Sequence, residues 1–223
     1  MITIMKNRSN IPYVTYGILI LCTLMYLLME IYGGSQNPFV LIHFGAKVNE
    51  LIIEGQYWRL LTPVFLHIGL SHLVMNGLAI YFLGKNLEEI FGSFRYLLLF
   101  LLAGIAGNVA SFATNQTISA GASTSIFGMF ATVLALAKVY PRRPYFQMLA
   151  YQYRILIIVN IIFSLFSSGI DIAGHFGGAI GGYLATMMVV STAAADAQHI
   201  NRMKYIMFYV VFILICFFVG KNM

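Results

Sequence analysis

Ser123 and His175 are the residues of this 223-residue chain whose types and surroundings point most directly to chemistry. Ser123 stands in Gly121-Ala122-Ser123-Thr124-Ser125-Ile126-Phe127-Gly128, and His175 in Asp171-Ile172-Ala173-Gly174-His175-Phe176-Gly177-Gly178; each opens a long apolar stretch. A serine hydroxyl is a poor nucleophile until a positioned base takes its proton, and neutral histidine is the usual base near neutral pH. The pair suggests a nucleophile and its base, drawn from two separate segments. A third element, His72-Leu73-Val74-Met75-Asn76, puts an imidazole and an amide four residues apart, on one face of a helix. An asparagine amide aimed at a developing oxyanion is one use for it, with the backbone N–H of Ser123 as a second donor. A hydrogen bond that only holds two helices together is the other.

For the hydroxyl and the imidazole to meet, their two helices must pack unusually closely. Gly174, Gly178 and Gly182 recur at four-residue spacing, with Gly177 and Gly181 beside them, while Gly121, Ser125 and Gly128 give the first two turns of the other segment a small face. Stripes of small residues let membrane helices approach to backbone distance. A stripe alone signals ordinary helix packing. One that begins at a histidine, opposite a serine, carries more.

The surroundings are a membrane. Hydrophobic residues make up 60% of the chain and charged residues 9%, with a mean hydropathy of +0.85, whereas soluble domains carry about 25% charged residues. Lipid offers backbone groups no hydrogen-bond partners, so uninterrupted apolar runs of this length imply helices. The formal charge of +6 is spread over short loops between apolar runs, which argues for a topology signal and against a nucleic-acid partner. Cys22 and Cys216 both sit inside apolar runs and read as small hydrophobes, with no disulfide framework.

Apolar runs fall at residues 11–32, 71–87, 95–113, 121–139, 154–169, 173–192 and 204–220, giving seven expected spans. The first is too long for a signal-peptide core and lacks a small-x-small cleavage site, so it is expected to be retained. Residues 1–10 form a short polar N-terminus, and 33–70 a long, partly structured loop against the membrane face, broken by Gly33-Gly34, Asn37-Pro38, Glu54-Gly55 and Pro63. Polar breaks are expected at 84–95, 115–120, 138–154, 167–171 and 193–204. With the N-terminus inside, the inner segments hold Lys6, Arg8, Lys85, Arg95, Lys138, Arg142, Arg143, Arg154, Arg202 and Lys204, against Lys47, Arg59 and Lys221 outside. The positive-inside rule sets that orientation. Ser123 and His175 then both lie near the outer face, close to the long loop. No repeat or soluble segment interrupts the pattern, and 1–223 reads as one domain.

These motifs together resemble the rhomboid family of intramembrane serine proteases. The likeness is carried by Gly121-Ala122-Ser123 with Ile126-Phe127-Gly128, by Ala173-Gly174-His175-Phe176-Gly177-Gly178, by His72-Leu73-Val74-Met75-Asn76, and by Tyr57-Trp58-Arg59 with Phe65-Leu66-His67. The resemblance implies an all-α membrane protein, a helical bundle of six core spans plus a C-terminal seventh. It implies Ser123 as nucleophile and His175 as general base in a dyad without an essential aspartate. Asn76, His72 and the Ser123 amide would stabilise the oxyanion, and Trp58-Arg59 would belong to the structural signature of the first long loop. No cofactor is implied.

In one place the chain departs from the family pattern: Thr124 follows the serine where glycine is usual, and Ser125 offers a second hydroxyl. In a helix Thr124 projects about 100° away from Ser123. Phe127, four residues after Ser123, is placed either to stack on His175 or to fill the core. Asp171 reads as the N-cap of its helix, favoured by the helix dipole, with a triad role as the lesser reading. His67, His72 and His175 could be taken for a metal cluster. On an ideal helix, however, His67 and His72 would sit about 140° apart, and no HExxH motif or cysteine pair accompanies them.

The function that follows is an intramembrane serine endopeptidase cutting transmembrane segments of other membrane proteins, with single-span proteins and the lipid bilayer as partners. Rival classes are a catalytically inactive relative that binds transmembrane helices, and a channel or transporter. The latter would place charges at span midpoints, where this chain has none. Short loops, few cysteines and a compact N-terminus suggest a bacterial plasma membrane, with an organelle membrane as the lesser reading and the site facing the extracytoplasmic side.

Overall fold

The computed structural model describes residues 11–166, 171–191 and 198–223. The N-terminal segment 1–10, residues 167–170 of the break expected at 167–171 and residues 193–197 of the break expected at 193–204 fall outside the described residues. Among those described, the long helices are α1 (Tyr13–Ile31), α4 (Leu70–Phe91), α5 (Ser93–Phe112), α6 (Ser123–Val139), α7 (Pro144–Phe166), α8 (Ile172–Val189) and α9 (Arg202–Lys221). One stands at each expected span. Five of them, α1, α5, α7, α8 and α9, are long and apolar enough to cross a membrane by length and composition, α7 over Pro144–Ile162. α6 is shorter at 17 residues, and the 22-residue α4 carries Lys85, Glu88 and Glu89 in its last turns. Large apolar side chains such as Leu24, Phe82, Ile155 and Ile215 face outwards, as lipid requires and water would not favour.

α5, α6 and α8 form the core, and glycine decides their spacing. A Cβ at Gly182 would lie 2.3 Å from the Cα of Gly128, and one at Gly178 would lie 2.1 Å from the carbonyl oxygen of Thr124. This face of α8 rests directly on the backbone of α6. The adjacent face rests on α5, where a Cβ at Gly177 would meet Ala110 at 2.3 Å and one at Gly181 would meet Ala106 at 2.2 Å. The complementary stripe Ala103, Gly104, Ala106, Gly107, Ala110 on α5 is the part of this packing not singled out in the sequence. Lower down, the Thr186 hydroxyl reaches Thr132 Oγ1 at 2.9 Å, a polar tie between α6 and α8.

Two expected breaks are largely helical. Residues 84–95 were expected to form a polar connection, yet α4 runs on to Phe91, and Gly92 alone, at φ 77°, separates it from α5. Buried Glu88 explains this. Its carboxylate accepts from the Val14 amide at 3.0 Å, the Thr15 amide at 2.8 Å, the Thr15 hydroxyl at 2.7 Å and the Ser93 hydroxyl at 2.6 Å. It caps the N-terminus of α1 from a neighbouring helix, where orphan N–H groups and the helix dipole favour an anion. Likewise α7 begins at Pro144, inside the break expected at 138–154, because proline at a helix start loses no hydrogen bond.

Between α1 and α4 the chain forms α2 (Pro38–Phe44), α3 (Asn49–Ile53) and two short 3₁₀ turns, Tyr57–Leu60 and Thr62–Phe65. Arg59, buried in this region, donates to Gln56 Oε1 at 2.8 Å and to the carbonyls of Ile42 and Ala46 at 2.8 and 2.9 Å. Its guanidinium takes the place of a sheet ladder for this loop. Trp58 stays exposed.

Replacing Gly182 by valine forces α6 and α8 apart and is expected to destabilise the bundle by about 1–3 kcal/mol, read as a lower melting temperature in detergent. Gly17→Ala, at a helical glycine whose added methyl would meet nothing within 4 Å beyond its own stretch of helix backbone, is expected to leave melting unchanged or raise it.

Candidate active site

The packing of α6 against α8 brings their N-terminal turns side by side. Ser123 is the first residue of α6 and His175 lies in the first turn of α8. Ser123 Oγ and His175 Nε2 are 2.8 Å apart. With the imidazole proton on Nδ1, Nε2 accepts the serine hydroxyl, which is the arrangement a general base needs. His175 is buried, while Ser123 is only partly so. The Phe127 ring stacks on His175 with centroids 4.3 Å apart and planes 13° apart. It therefore faces the imidazole and helps to set its plane.

Gly121 lies outside α6, not within its first two turns as expected. It has φ 145°, and a Cβ there would lie 2.6 Å from His72 Cε1 and 3.6 Å from Ser123 Oγ. His72 and the serine oxygen thus face the same small space, and only glycine leaves it open. His72 Nδ1 accepts from the Ile68 amide at 3.3 Å, which directs its other nitrogen away from the backbone. Asn76 follows one turn along the same face of α4; it is buried, and its amide nitrogen has no hydrogen-bond partner among the described residues. As the first helical residue, Ser123 also presents a backbone N–H that no intrahelical carbonyl can reach.

The neighbouring hydroxyls face elsewhere, Ser125 with a partner and Thr124 Oγ1 without one among the described residues. Ser125 is fully buried and donates to the Phe100 carbonyl of α5 at 2.8 Å. Thr124 points between α5 and α8: its Cβ is 2.6 Å from where a Gly107 Cβ would stand. The threonine therefore does not crowd Ser123. Asp171 caps α8, accepting from the Gly174 amide at 2.9 Å, and its carboxylate also accepts from Asn115 Nδ2 at 3.0 Å and Ser119 Oγ at 2.9 Å.

His67 precedes α4, so the helical angle expected between it and His72 does not apply. The two rings lie 5.3 Å apart, centroid to centroid. Burial, and secondarily the neighbouring His72, pushes His67 down to about 3, so it stays neutral at working pH. Among the described residues no group of three or more His, Cys, Asp or Glu is placed to hold a metal ion.

Residues 54–192 match the family model described as Rhomboid domain. The chain belongs to the rhomboid family. It is 45% identical over 178 residues to Rhomboid protease GluP of Bacillus subtilis (strain 168), covering 80% of this chain and 35% of that protein. It is 30% identical over 141 residues to Putative rhomboid protease YdcA of the same organism, covering 62% and 70%. Against Rhomboid protease AarA of Providencia stuartii it is 32% identical over 177 residues, covering 67% and 62%. The chain spans about a third of the length of GluP. The rhomboid match encloses every residue of the site described above, from His67 to His175.

Among the residues surrounding this rhomboid site, Lys47, Asn115 and Ser119 were not anticipated. Their only sequence signal was the placement of polar residues in the breaks before α3 and α6. Gly121→Ala is expected to lower both melting temperature and the reactivity of Ser123 towards a fluorophosphonate, because the methyl group strains the backbone and displaces His72. Unchanged labelling would show that His72 does not need this space.

Proposed function

We propose that this chain is an intramembrane serine endopeptidase that cleaves transmembrane segments of other membrane proteins. The observation that carries the reading is the 2.8 Å approach of Ser123 Oγ to His175 Nε2, held by backbone contact between the helices that bear them. In the reaction, Ser123 Oγ attacks the scissile carbonyl as its proton passes to His175 Nε2. The tetrahedral oxyanion is met by the Ser123 N–H, the Asn76 amide and His72. His175 then returns the proton to the departing amine, leaving an acyl-enzyme that water hydrolyses by the same steps.

The unpartnered amide of Asn76 supports its part. A buried donor left without a partner costs stability, and an oxyanion would supply one during turnover. The names of the relatives, each called a protease, support the activity class. The distribution of Lys and Arg supports an orientation with the N-terminus inside and the site facing the extracytoplasmic side, in a plasma membrane. Substrates would be single-span proteins whose helix unwinds readily near the outer surface, since a peptide bond inside an intact helix is shielded. The whole chain acts in this reading as one domain, with α9 as the seventh span.

Purified protein in detergent is expected to cleave a fluorogenic transmembrane-segment substrate. Ser123→Ala and His175→Ala should each lose at least about 10³-fold in kcat, non-additively when combined. Asn76→Ala should lose roughly 10²–10³-fold in kcat with little change in KM. Ser125→Ala should remain active. A well-folded wild type that cuts none of several helix-weakened substrates would favour an inactive helix-binding relative.

A further inference from the structure

Lys47 is a lysine with no exposed surface, and its ammonium is saturated. Its three N–H groups meet Asn49 Oδ1 at 3.0 Å, the Asn115 carbonyl at 3.0 Å and Asn115 Oδ1 at 3.1 Å. Each partner is itself anchored. Asn49 donates to the Phe112 carbonyl at the end of α5 at 3.0 Å, and Asn115 donates to Asp171 Oδ1 at 3.0 Å. The backbone of Lys47 pairs with that of Ser119 in both directions, at 2.9 and 3.2 Å, and Ser119 Oγ donates to the second oxygen of Asp171 at 2.9 Å.

The two ends of this cluster lead straight into the site. Ser119 is four residues before Ser123 and enters α6 through Gly121. Asp171 is four residues before His175 and caps the turn that carries it, with the His175 amide bonded to its carbonyl at 3.0 Å. None of the cluster touches the reacting atoms. It nevertheless joins the loop before α3, the end of α5, the approach to α6 and the start of α8.

We propose that Lys47, Asn115 and Asp171 are positioning residues that hold the Ser123 and His175 turns in register, and that full turnover needs the charge on Lys47. This rests on the peptidase reading. A neutral amine has two N–H groups and a lone pair in place of three N–H groups, so one of its three acceptors would lose its donor and face the lone pair instead. The charged groups acting on Lys47 are Asp171 at the start of α8 and Glu50 in α3, both favouring the ammonium; burial opposes them more strongly and brings Lys47 down to about 8.

The test is the pH dependence of kcat and KM for the full chain in detergent, beside melting temperature and fluorophosphonate labelling of Ser123. Wild-type kcat is expected to fall as pH rises through about 8. Stability should not fall with it: the unfolded lysine keeps its proton to higher pH than the buried one, so Lys47's contribution favours folding increasingly above that point. Lys47→Met should lower kcat about tenfold to a hundredfold, change KM little and lack the alkaline fall. Lys47→Arg, charged throughout, should restore kcat without that fall. Asp171→Asn, which keeps an oxygen for the cap but loses the charge, should lower kcat as Lys47→Met does, and serves if the arginine variant does not fold. Wild-type kcat and pH profile in Lys47→Met or Asp171→Asn would overturn the proposal, as would melting temperatures that track kcat at every pH. A wild type that neither cleaves substrate nor labels at Ser123 would remove the peptidase reading, and this proposal with it.

Discussion

The backbones of α6 and α8 touch. Where Gly128 meets Gly182 there is no room for a single added carbon, since that carbon would stand 2.3 Å from the opposing Cα. In lipid there is no hydrophobic force to push helices together, so close van der Waals contact must supply the attraction. Small residues on both helices, and on α5 beside them, make the contact possible along several turns. With the helices fixed at that distance, a short side chain on one and an imidazole on the other can share a hydrogen bond. A larger residue at Gly128, Gly178 or Gly182 would push the two helices apart.

The helix ends raise the opposite problem. They carry backbone donors and acceptors that the bilayer cannot satisfy, and the chain answers by sending side chains from other segments to meet them. At one end Glu88 of α4 caps α1. At the other Asp171 caps α8 while it is held by Asn115 and Ser119. Arg59 does similar work within the loop, gathering two carbonyls of the α2 region. These charges, of which Glu88 and Arg59 are buried, have polar partners, as low dielectric requires, and each joins separate segments. The polar groups that could be mistaken for isolated catalytic candidates are mostly cross-links of this sort.

Two hydroxyls two residues apart, Ser123 and Ser125, illustrate how the bundle distinguishes chemistry from packing. Both lie in the first turn of α6, and composition alone treats them alike. Ser125 faces α5 and spends its proton on the Phe100 carbonyl. Ser123 faces the opening between α6, α8 and α4, where His175, Phe127 and His72 converge. Thr124, between them, turns its side chain towards Gly107 of α5, so a branched residue beside the serine fills an interhelical contact and leaves the serine's surroundings clear.

Much of this was legible in the residues themselves. Hydropathy placed a helix at each of the positions where a long one stands, because apolar length is a local property that lipid reads directly. Gly174, Gly178 and Gly182 announced a close contact for the same reason: period and size lie along one helix. What lay outside the sequence's reach were the partnerships between segments. Glu88 looked like part of a polar loop because nothing nearby in the chain says that the start of α1 needs a carboxylate. Lys47 looked like a loop cation, although its three acceptors come from Asn49 and Asn115. The separation of Ser123 from His175 by 52 residues is plain in the sequence; that their atoms come within 2.8 Å depends on two helices meeting at their backbones, which only the folded chain decides.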